Sequence, residues 1–103
     1  MISRGSTPIL LFSTNTDLSN ASVHLTFKQG NTIVLDKTEK ELEIAENSIG
    51  CSLSQKDTLR FNTQKPIEIQ LRYVNDVGYA DVSNIVTTSA ETLLRGGVIE
   101  YRN

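Results

Sequence analysis

The sequence predicts an all-β domain, and three observations carry this prediction. Apolar and polar side chains alternate in short runs, as they do when a strand buries one face. Turn-forming residues separate these runs at roughly the eight- to twelve-residue spacing typical of β-sandwiches. No segment keeps an apolar period of 3.6 over the length of a helix. We therefore expect an immunoglobulin-like antiparallel β-sandwich of about seven strands. A small β-barrel is the alternative, because strand count alone does not separate a closed barrel from two packed sheets.

The N-terminal third contains one extended segment and one hairpin. Residues 7–13 form the first predicted strand, and Pro8 places it at a sheet edge or at a strand start, because proline lacks a backbone N–H. A loop is expected at 15–20. Residues 22–37 read as a hairpin, with Gly30 in the turn because glycine tolerates positive φ. Its first strand alternates clearly, with Val23, Leu25 and Phe27 on the apolar face.

The middle of the chain is more irregular. Residues 38–43 are charged and could form a helical turn. Because Leu42 and Ile44 alternate with Glu43 and Ala45 up to Glu46-Asn47, we expect a short strand followed by a tight turn. The next strand carries Ile49, Cys51 and Leu53 on its apolar face, which makes the single thiol a core residue. Ser54 and the acid three residues later have the pattern of a helix N-cap, with room for one helical turn.

The second half contains the clearest strand. Residues 67–73 alternate strictly between apolar and polar side chains, and Leu59 and Phe61 are expected to cover the core before them. Residues 75–78 supply a reversal. Residues 79–88 are rich in Val, Ile, Thr and Tyr, and we expect them to return as one strand of a second hairpin.

Length and composition limit the organisation and the partners. The 103 residues fit one sandwich domain, 1–103, with possible extended arms at 1–8 and 89–103. Ten Lys and Arg against twelve Asp and Glu give a net charge of −2, so no basic face for nucleic acid is expected. The longest apolar run, 9–12, is too short for a membrane span, and the first residues lack the apolar run of a signal peptide. We expect synthesis in the cytoplasm and no membrane partner.

Catalytic and cofactor sites have little support. Cys51 and His24 are the only thiol and imidazole, and they fall on opposite faces of their predicted strands, so a catalytic dyad is not expected. One Cys and one His cannot build a zinc site. The acidic run of Glu39, Glu41, Glu43 and Glu46 lacks the spacing of a calcium loop and is interleaved with lysines. No phosphate-binding or nucleophile-elbow motif is present. We therefore expect no enzyme activity, no cofactor and no metal.

The C-terminal segment has more apolar side chains than we expect of a tail that makes no contacts. Such a segment either completes the domain's own sheet or adds a strand to the exposed edge of a neighbour, and both alternatives stay open. If it reaches outward, self-assembly follows naturally. The candidate assembly residues lie around Arg95-Gly96-Gly97, and they are Leu93, Leu94, Val98, Ile99 and Tyr101.

The sequence resembles small proteins of tailed bacteriophages. The segments that carry the resemblance are Arg4-Gly5-Ser6-Thr7-Pro8, Asp17 to Ala21 leading into Val23 to Gly30, Leu53 to Phe61, Ile67 to Tyr73, Ser83-Asn84-Ile85-Val86, and the closing Val98-Ile99. They are similar to short virion-associated proteins and to the N-terminal immunoglobulin-like sandwich of phage baseplate upper proteins. The resemblance covers the sandwich and does not extend to the long fibre-forming region that follows it in baseplate upper proteins.

The resemblance implies a non-enzymatic structural role in the virion, in the tail, the baseplate or at the capsid, with no catalytic residues to carry over. The implied partners are other virion proteins or copies of the chain itself, and the implied location is the virion. A host-surface or carbohydrate-binding module is the alternative function. Tyr79, beside the 75–78 turn, is the one aromatic residue that the sequence places near a loop tip for such binding.

Overall fold

Alternating side chains form strands at most of the predicted positions. In the strand Ser22–Gln29, Val23, Leu25 and Phe27 are buried while the residues between them face outward. The computed structural model describes residues 1–83, 85–94 and 96–102. Within these ranges the strands are β1 Ile2–Ser3, β2 Ile9–Ser13, β3 Ser22–Gln29, β4 Thr32–Thr38, β5 Glu43–Ile44, β6 Ser48–Ser52, β7 Ile67–Val74, β8 Ala80–Val82, β9 Val86–Thr88 and β10 Ala90–Glu91. A 3-10 helix spans Glu39–Glu41, and one α-helical turn, α1, spans Gln55–Thr58.

The strands form two main sheets. The small sheet has the antiparallel order β2-β6-β5, and the large sheet has the order β4-β3-β7 with β8 and β9 both on the far side of β7. A third pairing joins the two predicted arms, since β1 runs parallel to β10. By their order along the chain, these strands match those of an immunoglobulin sandwich. The small sheet contains strand B (β2), strand D (β5) and strand E (β6). The large sheet contains strand C (β3), strand C′ (β4), strand F (β7) and strand G (β8 and β9). The fold is the predicted immunoglobulin-like β-sandwich.

The core lies between the two sheets and is apolar. Cys51 and Ile49 of the small sheet pack in one cluster with Leu25, Phe27 and Ile69 of the large sheet. The Phe27 and Phe61 ring centroids are 6.0 Å apart, so Phe61 covers the core as predicted. Leu59, which follows α1, is only half-buried.

One buried polar side chain ties a loop to this core. Gln29, only 4% exposed, donates from Nε2 to the carbonyls of Asn62 and Lys65, at 2.7 and 2.9 Å. Its Oε1 accepts the Asn62 N–H at 2.8 Å. The polar stretch before β7 is thus held by a side chain from the end of β3, with all three contacts on backbone atoms.

The predicted helix N-cap is present at α1. Ser54 Oγ accepts the Asp57 N–H at 3.0 Å, and the Asp57 carboxylate accepts the Ser54 N–H at 3.0 Å. This reciprocal pair is a capping box, which satisfies two N–H groups that a helix start leaves without partners.

The short strand and tight turn expected in 38–47 are present, as β5 and as a turn in which the Ala45 N–H donates to the Ser48 carbonyl at 2.9 Å. The helical turn that we did not expect in 38–43 is present as well, because residues 39–41 form a 3-10 helix in which Glu41 accepts the Thr38 N–H at 3.2 Å.

One further expectation was wrong in detail. Residues 79–88 do not form one strand. Arg72 pairs with Val82 but Ile69 pairs with Val86, so three steps along β7 match four along its neighbour. This extra residue is a β-bulge, and it separates β8 from β9. Asn84, inside that segment, lies outside the described residues.

Candidate assembly surfaces

Four of the five predicted assembly residues lie on an exposed C-terminal segment, residues 96–102 with Leu94. Leu94 and Tyr101 are almost fully exposed, at 105% and 90%, and Ile99 is 71% exposed. Val98 is also exposed. Leu93 differs, because its side chain packs over Gly5 of the N-terminal arm and is half-buried. Leu94, Val98, Ile99 and Tyr101 are thus each exposed, whereas Leu93 is not. Arg95 lies outside the described residues.

A side-chain amide fixes the exposed segment to the body. Gln55 Nε2 donates to the Ile99 carbonyl at 2.9 Å, and Gln55 Oε1 accepts the Ile99 N–H at 2.8 Å. These two bonds satisfy both backbone groups of Ile99, much as a neighbouring strand would. The Ile99 side chain nevertheless stays in solvent, so the segment is presented on α1 and is not packed into the core.

The N-terminal arm is fixed to the same helical turn. The fully buried Thr58 hydroxyl accepts the Gly5 N–H at 2.9 Å and donates to the Ser6 carbonyl at 2.9 Å. Arg4 donates to the Leu59 carbonyl at 3.0 Å. Gly5 has a φ of +80°, a conformation that glycine adopts at low cost. Both arms therefore converge on α1.

An ion pair joins α1 to β4. Lys37 Nζ lies 3.0 Å from the Asp57 carboxylate and 3.7 Å from that of Glu41. Burial acts most strongly on the pKa of Asp57 and pushes it upward, but the Ser54 N–H and the Lys37 ammonium outweigh it and hold that pKa below its usual value. Burial likewise lowers the pKa of Lys37, yet the hydrogen bond and charge of Asp57 leave it raised. The pair is therefore charged over the whole neutral range.

The small sheet presents a second apolar surface at the outer edge of β2. The backbone bonds Leu53 N–H to Pro8 O and Thr14 N–H to Asn47 O mark the positions that bond to β6. Hydrogen-bonded and non-bonded positions alternate in an antiparallel pair, so Ile9, Leu11 and Ser13 direct their N–H and C=O groups away from β6. No described strand pairs with that side of β2. This is the position that strand A occupies in an immunoglobulin sandwich.

An apolar groove follows this edge. The large sheet extends one strand further than the small sheet, so Val86 of β9, opposite the buried Ile69, points to the core side yet remains 50% exposed. The resulting open cavity has a volume of about 480 Å³. Its lining includes Phe12, Leu25, Ile69, Leu71 and Val86. Sequence reasoning placed β2 near an edge but did not identify this groove; the available signal was the uncharged run Ile9 to Phe12, apolar at every position.

The residues weighed for catalysis stand apart. His24 is on the outer face of the large sheet, where its Nδ1 lies 3.2 Å from Asp36. Cys51 is fully buried on the inner face of the small sheet, and that burial raises its pKa to about 11. The opposite-face prediction for these two side chains is confirmed, and their placement offers no nucleophile with an adjacent base.

Parts of the acidic run have structural contacts. Glu39 accepts the Val23 N–H at 3.1 Å, and this hydrogen bond lowers its pKa. Glu41 caps the 3-10 helix and faces Lys37. No group of three His, Cys, Asp or Glu side chains suited to a metal ion occurs among the described residues.

Tyr79, the residue considered for glycan binding, is exposed beside the β7–β8 turn. Its ring centroid lies 6.4 Å from that of Tyr73, and its hydroxyl is 3.5 Å from the Asp81 carboxylate. The negative charge of Asp81 raises the pKa of Tyr79. A separate shallow hollow of about 260 Å³ has His24, Arg72 and Tyr73 in its lining, and Tyr79 does not border it.

Comparison with known proteins supports the fold. The chain is similar to the immunoglobulin-like domain of mouse leukocyte-associated immunoglobulin-like receptor 1, solved as a strand-swapped dimer. The two share 14% identity and a TM-score of 0.51, over 89% of this chain and 86% of the mouse domain. No protein-family model matches the sequence, and no curated protein does. No helix among the described residues is long and apolar enough to cross a membrane. The chain thus has an immunoglobulin-like sandwich fold.

Proposed function

We propose that this chain is a non-enzymatic structural protein of a tailed-bacteriophage virion, in the tail, the baseplate or at the capsid. It acts by binding other virion proteins or copies of itself. The phage assignment rests on the sequence resemblance, and the mode of action rests on the surfaces described above.

The observation that carries the proposal is the exposed C-terminal segment. Leu94, Ile99 and Tyr101 are close together in the sequence and expose most of their side chains, and a large apolar surface left exposed suits a site that a partner covers. Gln55 holds Ile99 in place, so the segment loses less conformational freedom when it binds. A pre-positioned apolar segment suits the role of an assembly contact.

The mouse receptor domain supports association in a general way. Its strand-swapped dimer shows that a sandwich of this fold can exchange a strand with a second copy. In the part of the chain that the structure describes, the terminal arms pair at two positions, Ile2 with Ala90 and Ser3 with Glu91. Short terminal pairings of this kind can be replaced by equivalent contacts with a neighbour.

A truncation and a point variant test the assembly contact. A chain ending at Leu93 keeps β10 and the Leu93 contact with Gly5 but removes the exposed segment. In the full-length chain, the combined substitutions Leu94→Ser, Ile99→Ser and Tyr101→Ser remove the apolar surface alone. Both should bind virion proteins at least tenfold more weakly in a pull-down from purified particles. The matched control is Val77→Ser, which removes an 83% exposed apolar side chain at a distant turn and should bind normally. Equal binding by all variants would exclude the segment as the contact.

The virion location has its own test. Particles purified from the bacterium that produces the chain should contain it in a fixed ratio to the other virion proteins, as measured by quantitative mass spectrometry. Recovery only in the particle-free fraction would contradict the phage assignment.

The glycan-binding alternative is favoured by one observation, the exposed Tyr79 ring, which lies 6.4 Å from the Tyr73 ring and whose hydroxyl is 3.5 Å from the Asp81 carboxylate. An exposed aromatic ring beside a polar group suits sugar recognition. Binding on a glycan array that disappears in Tyr79→Ala would support this alternative, and an array without any signal would remove it.

A further inference from the structure

Two cavities form one groove along the outer edge of β2. The cavity of about 480 Å³ described above reaches Ser13 at one end of the strand. A second cavity, of about 260 Å³, extends past Ile9 to Thr88 at the other end. The two cavities share part of their lining, which is Leu11, Phe12, Ile69 and Val86. The groove therefore follows the length of β2 and has a larger and a smaller compartment.

The β2 edge beside this groove is open to pairing. Charges and very short strands commonly protect an edge, and β5 is only two residues long while β4 and β8 contain charged residues. β2 pairs with β6 over five positions and contains no charge. Its Ile9, Leu11 and Ser13 direct their N–H and C=O groups away from β6. Because the large sheet continues past β2, this space admits a single strand and not the edge of a second sheet.

A strand added to β2 would insert alternate side chains into the groove. Opposed residues of paired strands share a face of the sheet, so the residues opposite Leu10 and Phe12 would point to the core side. The residue between them would face solvent beside the exposed Leu11. The groove therefore suits an extended segment with apolar residues at positions i and i+2 and a polar residue between them.

The C-terminal segment has this pattern. Ile99 and Tyr101 are two residues apart, with the charged Glu100 between them. Their side chains are 71% and 90% exposed, so neither is committed to the core of its own chain. Residues 98–102 form no helix or turn. When these residues are extended, Ile99 and Tyr101 lie on one face and Glu100 lies on the other.

The backbone of this segment has an edge available for pairing. Gln55 occupies the N–H and C=O groups of Ile99. In an extended backbone the corresponding groups of Val98 and Glu100 point to the opposite edge. Between described residues, those groups make no hydrogen bond. Pairing with β2 therefore uses the edge that Gln55 leaves open.

We propose that the groove beside β2 binds the C-terminal segment of a second copy, which adds one antiparallel strand to β2. This inference rests on the proposed function, for which it names a second copy as partner and the surface that receives its segment. Ile99 lies opposite Phe12 and enters the larger compartment. Tyr101 lies opposite Leu10 and enters the smaller one, where the Thr88 side chain can bond its hydroxyl. The three hydrogen-bonded pairs are Val98 with Ser13, Glu100 with Leu11 and Arg102 with Ile9.

Burial and charge favour this arrangement. Val86 points to the core side but is 50% exposed, and the inserted Ile99 would cover it. Glu100 and Arg102 remain on the solvent face of the added strand. Gly96 and Gly97 precede the strand, and their conformational freedom lets it enter the groove while the body of the second copy stays outside.

The strength of the contact follows from its size. One strand of five residues buries less than the roughly 1,200 Å² at the lower end of stable specific interfaces, so a single donated segment gives a weak complex. Two copies that exchange segments reciprocally double this contact and close a dimer. We expect association in roughly the micromolar range.

Sedimentation equilibrium of the full chain from about 10 to 500 µM tests the acceptor groove. The wild type should associate over this range, and Val86→Lys, which places a charge in the groove, should weaken association at least about tenfold. Val82→Lys is the matched control, because Val82 is 52% exposed but pairs with Arg72 and faces the outer side of the sheet. Thermal denaturation checks that both variants fold. A monomeric wild type, or equal masses for the two variants, would overturn the proposal.

Substitutions in the segment test which face is inserted. Ile99→Ser and Tyr101→Ser each remove an inserted side chain and should weaken association at least about tenfold. Glu100→Ser changes the solvent-facing residue between them and should associate as the wild type does. A loss in Glu100→Ser as large as that in Ile99→Ser would contradict the alternation on which the inserted strand depends.

Mixing two variants tests donation from one chain to another. The Val86→Lys chain keeps its C-terminal segment but has a blocked groove. The chain ending at Leu93 keeps the groove but lacks the segment. Each should be monomeric alone, and the mixture should form a one-to-one complex in sedimentation. A mixture that stays monomeric while the wild type associates would rule out donation into the groove.

The same variants separate this proposal from the proposed function. Self-association that is lost on truncation but kept by Val86→Lys would place the acceptor surface elsewhere. That result would overturn the β2 groove as acceptor and leave the assembly role intact. Donation in the mixture by a chain that is absent from purified virions would support the groove and contradict the virion role.

Discussion

The substitution Thr58→Val removes the hydroxyl that joins the N-terminal arm to α1 while keeping the size of the side chain. Thr58 is fully buried, and its hydroxyl makes one hydrogen bond to the Gly5 N–H and one to the Ser6 carbonyl. Each bond contributes about 1 kcal/mol net. Gly5 and Ser6 are half-buried, so water can replace only part of what they lose. We expect a loss of about 2 kcal/mol in the free energy of unfolding.

The control is Thr58→Ser, which keeps the hydroxyl and loses one buried methyl group, at a cost of about 1 kcal/mol. Urea denaturation gives both free energies, and for a domain of this size each kcal/mol corresponds to roughly 4 to 8 °C in Tm. Hydrogen exchange of the Gly5 amide distinguishes the causes. Protection should be lost in Thr58→Val and kept in Thr58→Ser. A Thr58→Val chain as stable as Thr58→Ser, with Gly5 still protected, would show that the hydroxyl does not anchor the arm.

Three further predictions concern the core and the ion pair. The folded pKa of Asp57 lies below its unfolded value, so its contribution to stability is complete above about pH 4 and is lost as pH falls through the folded pKa. Acid titration of Asp57→Asn should therefore show lower stability at pH 7 and a shallower loss of stability below about pH 4. A loss of stability below about pH 4 as steep as that of the wild type would contradict this. Burial raises the pKa of Cys51 from 9.0 to about 11, which lowers the fraction of reactive thiolate. At pH 8 the folded chain should therefore react with iodoacetamide at least about 100-fold more slowly than the chain unfolded in urea. Equal rates would refute the burial of Cys51. Phe27→Ala should lower the free energy of unfolding by about 3 to 5 kcal/mol in urea denaturation, because the ring is fully buried. The control Val77→Ser, at an exposed position, should lower it by less than about 0.5 kcal/mol. A loss below about 1 kcal/mol in Phe27→Ala would show that Phe27 is not central to the core.

The regular elements were predictable because their signals are local. Strict alternation in 22–29 and 67–74 follows from burial of one face, and the structure places both strands at the centre of the large sheet. The capping box at Ser54 depends only on residues three apart, so it too was readable. Burial of Cys51 followed from its position on the apolar face of β6.

Features that depend on pairing between distant segments were not predictable in this way. The bulge between β8 and β9 arises from the register against β7, and residues 79–88 alone read as one continuous strand. The contacts of Gln55 with Ile99 and of Thr58 with Gly5 join positions 44 and 53 residues apart. The residues next to Gln55 and Thr58 in the sequence give no indication of these partners.

For the candidate assembly surfaces, too, the sequence indicated the local features and missed those that depend on distant segments. Composition alone marked the C-terminal apolar residues, but it did not separate Leu93, which packs on Gly5, from the exposed Leu94. The open edge of β2 becomes visible only when the strand order shows that no described strand pairs with it.

The most direct test of the assembly role is the solution mass of the full chain by light scattering over a concentration series, beside the chain ending at Leu93 and with purified virion proteins added. Assembly predicts a mass above that of the monomer, with the virion-protein complex lost on truncation. A full chain that stays monomeric at every concentration and forms no complex with virion proteins would contradict an assembly function.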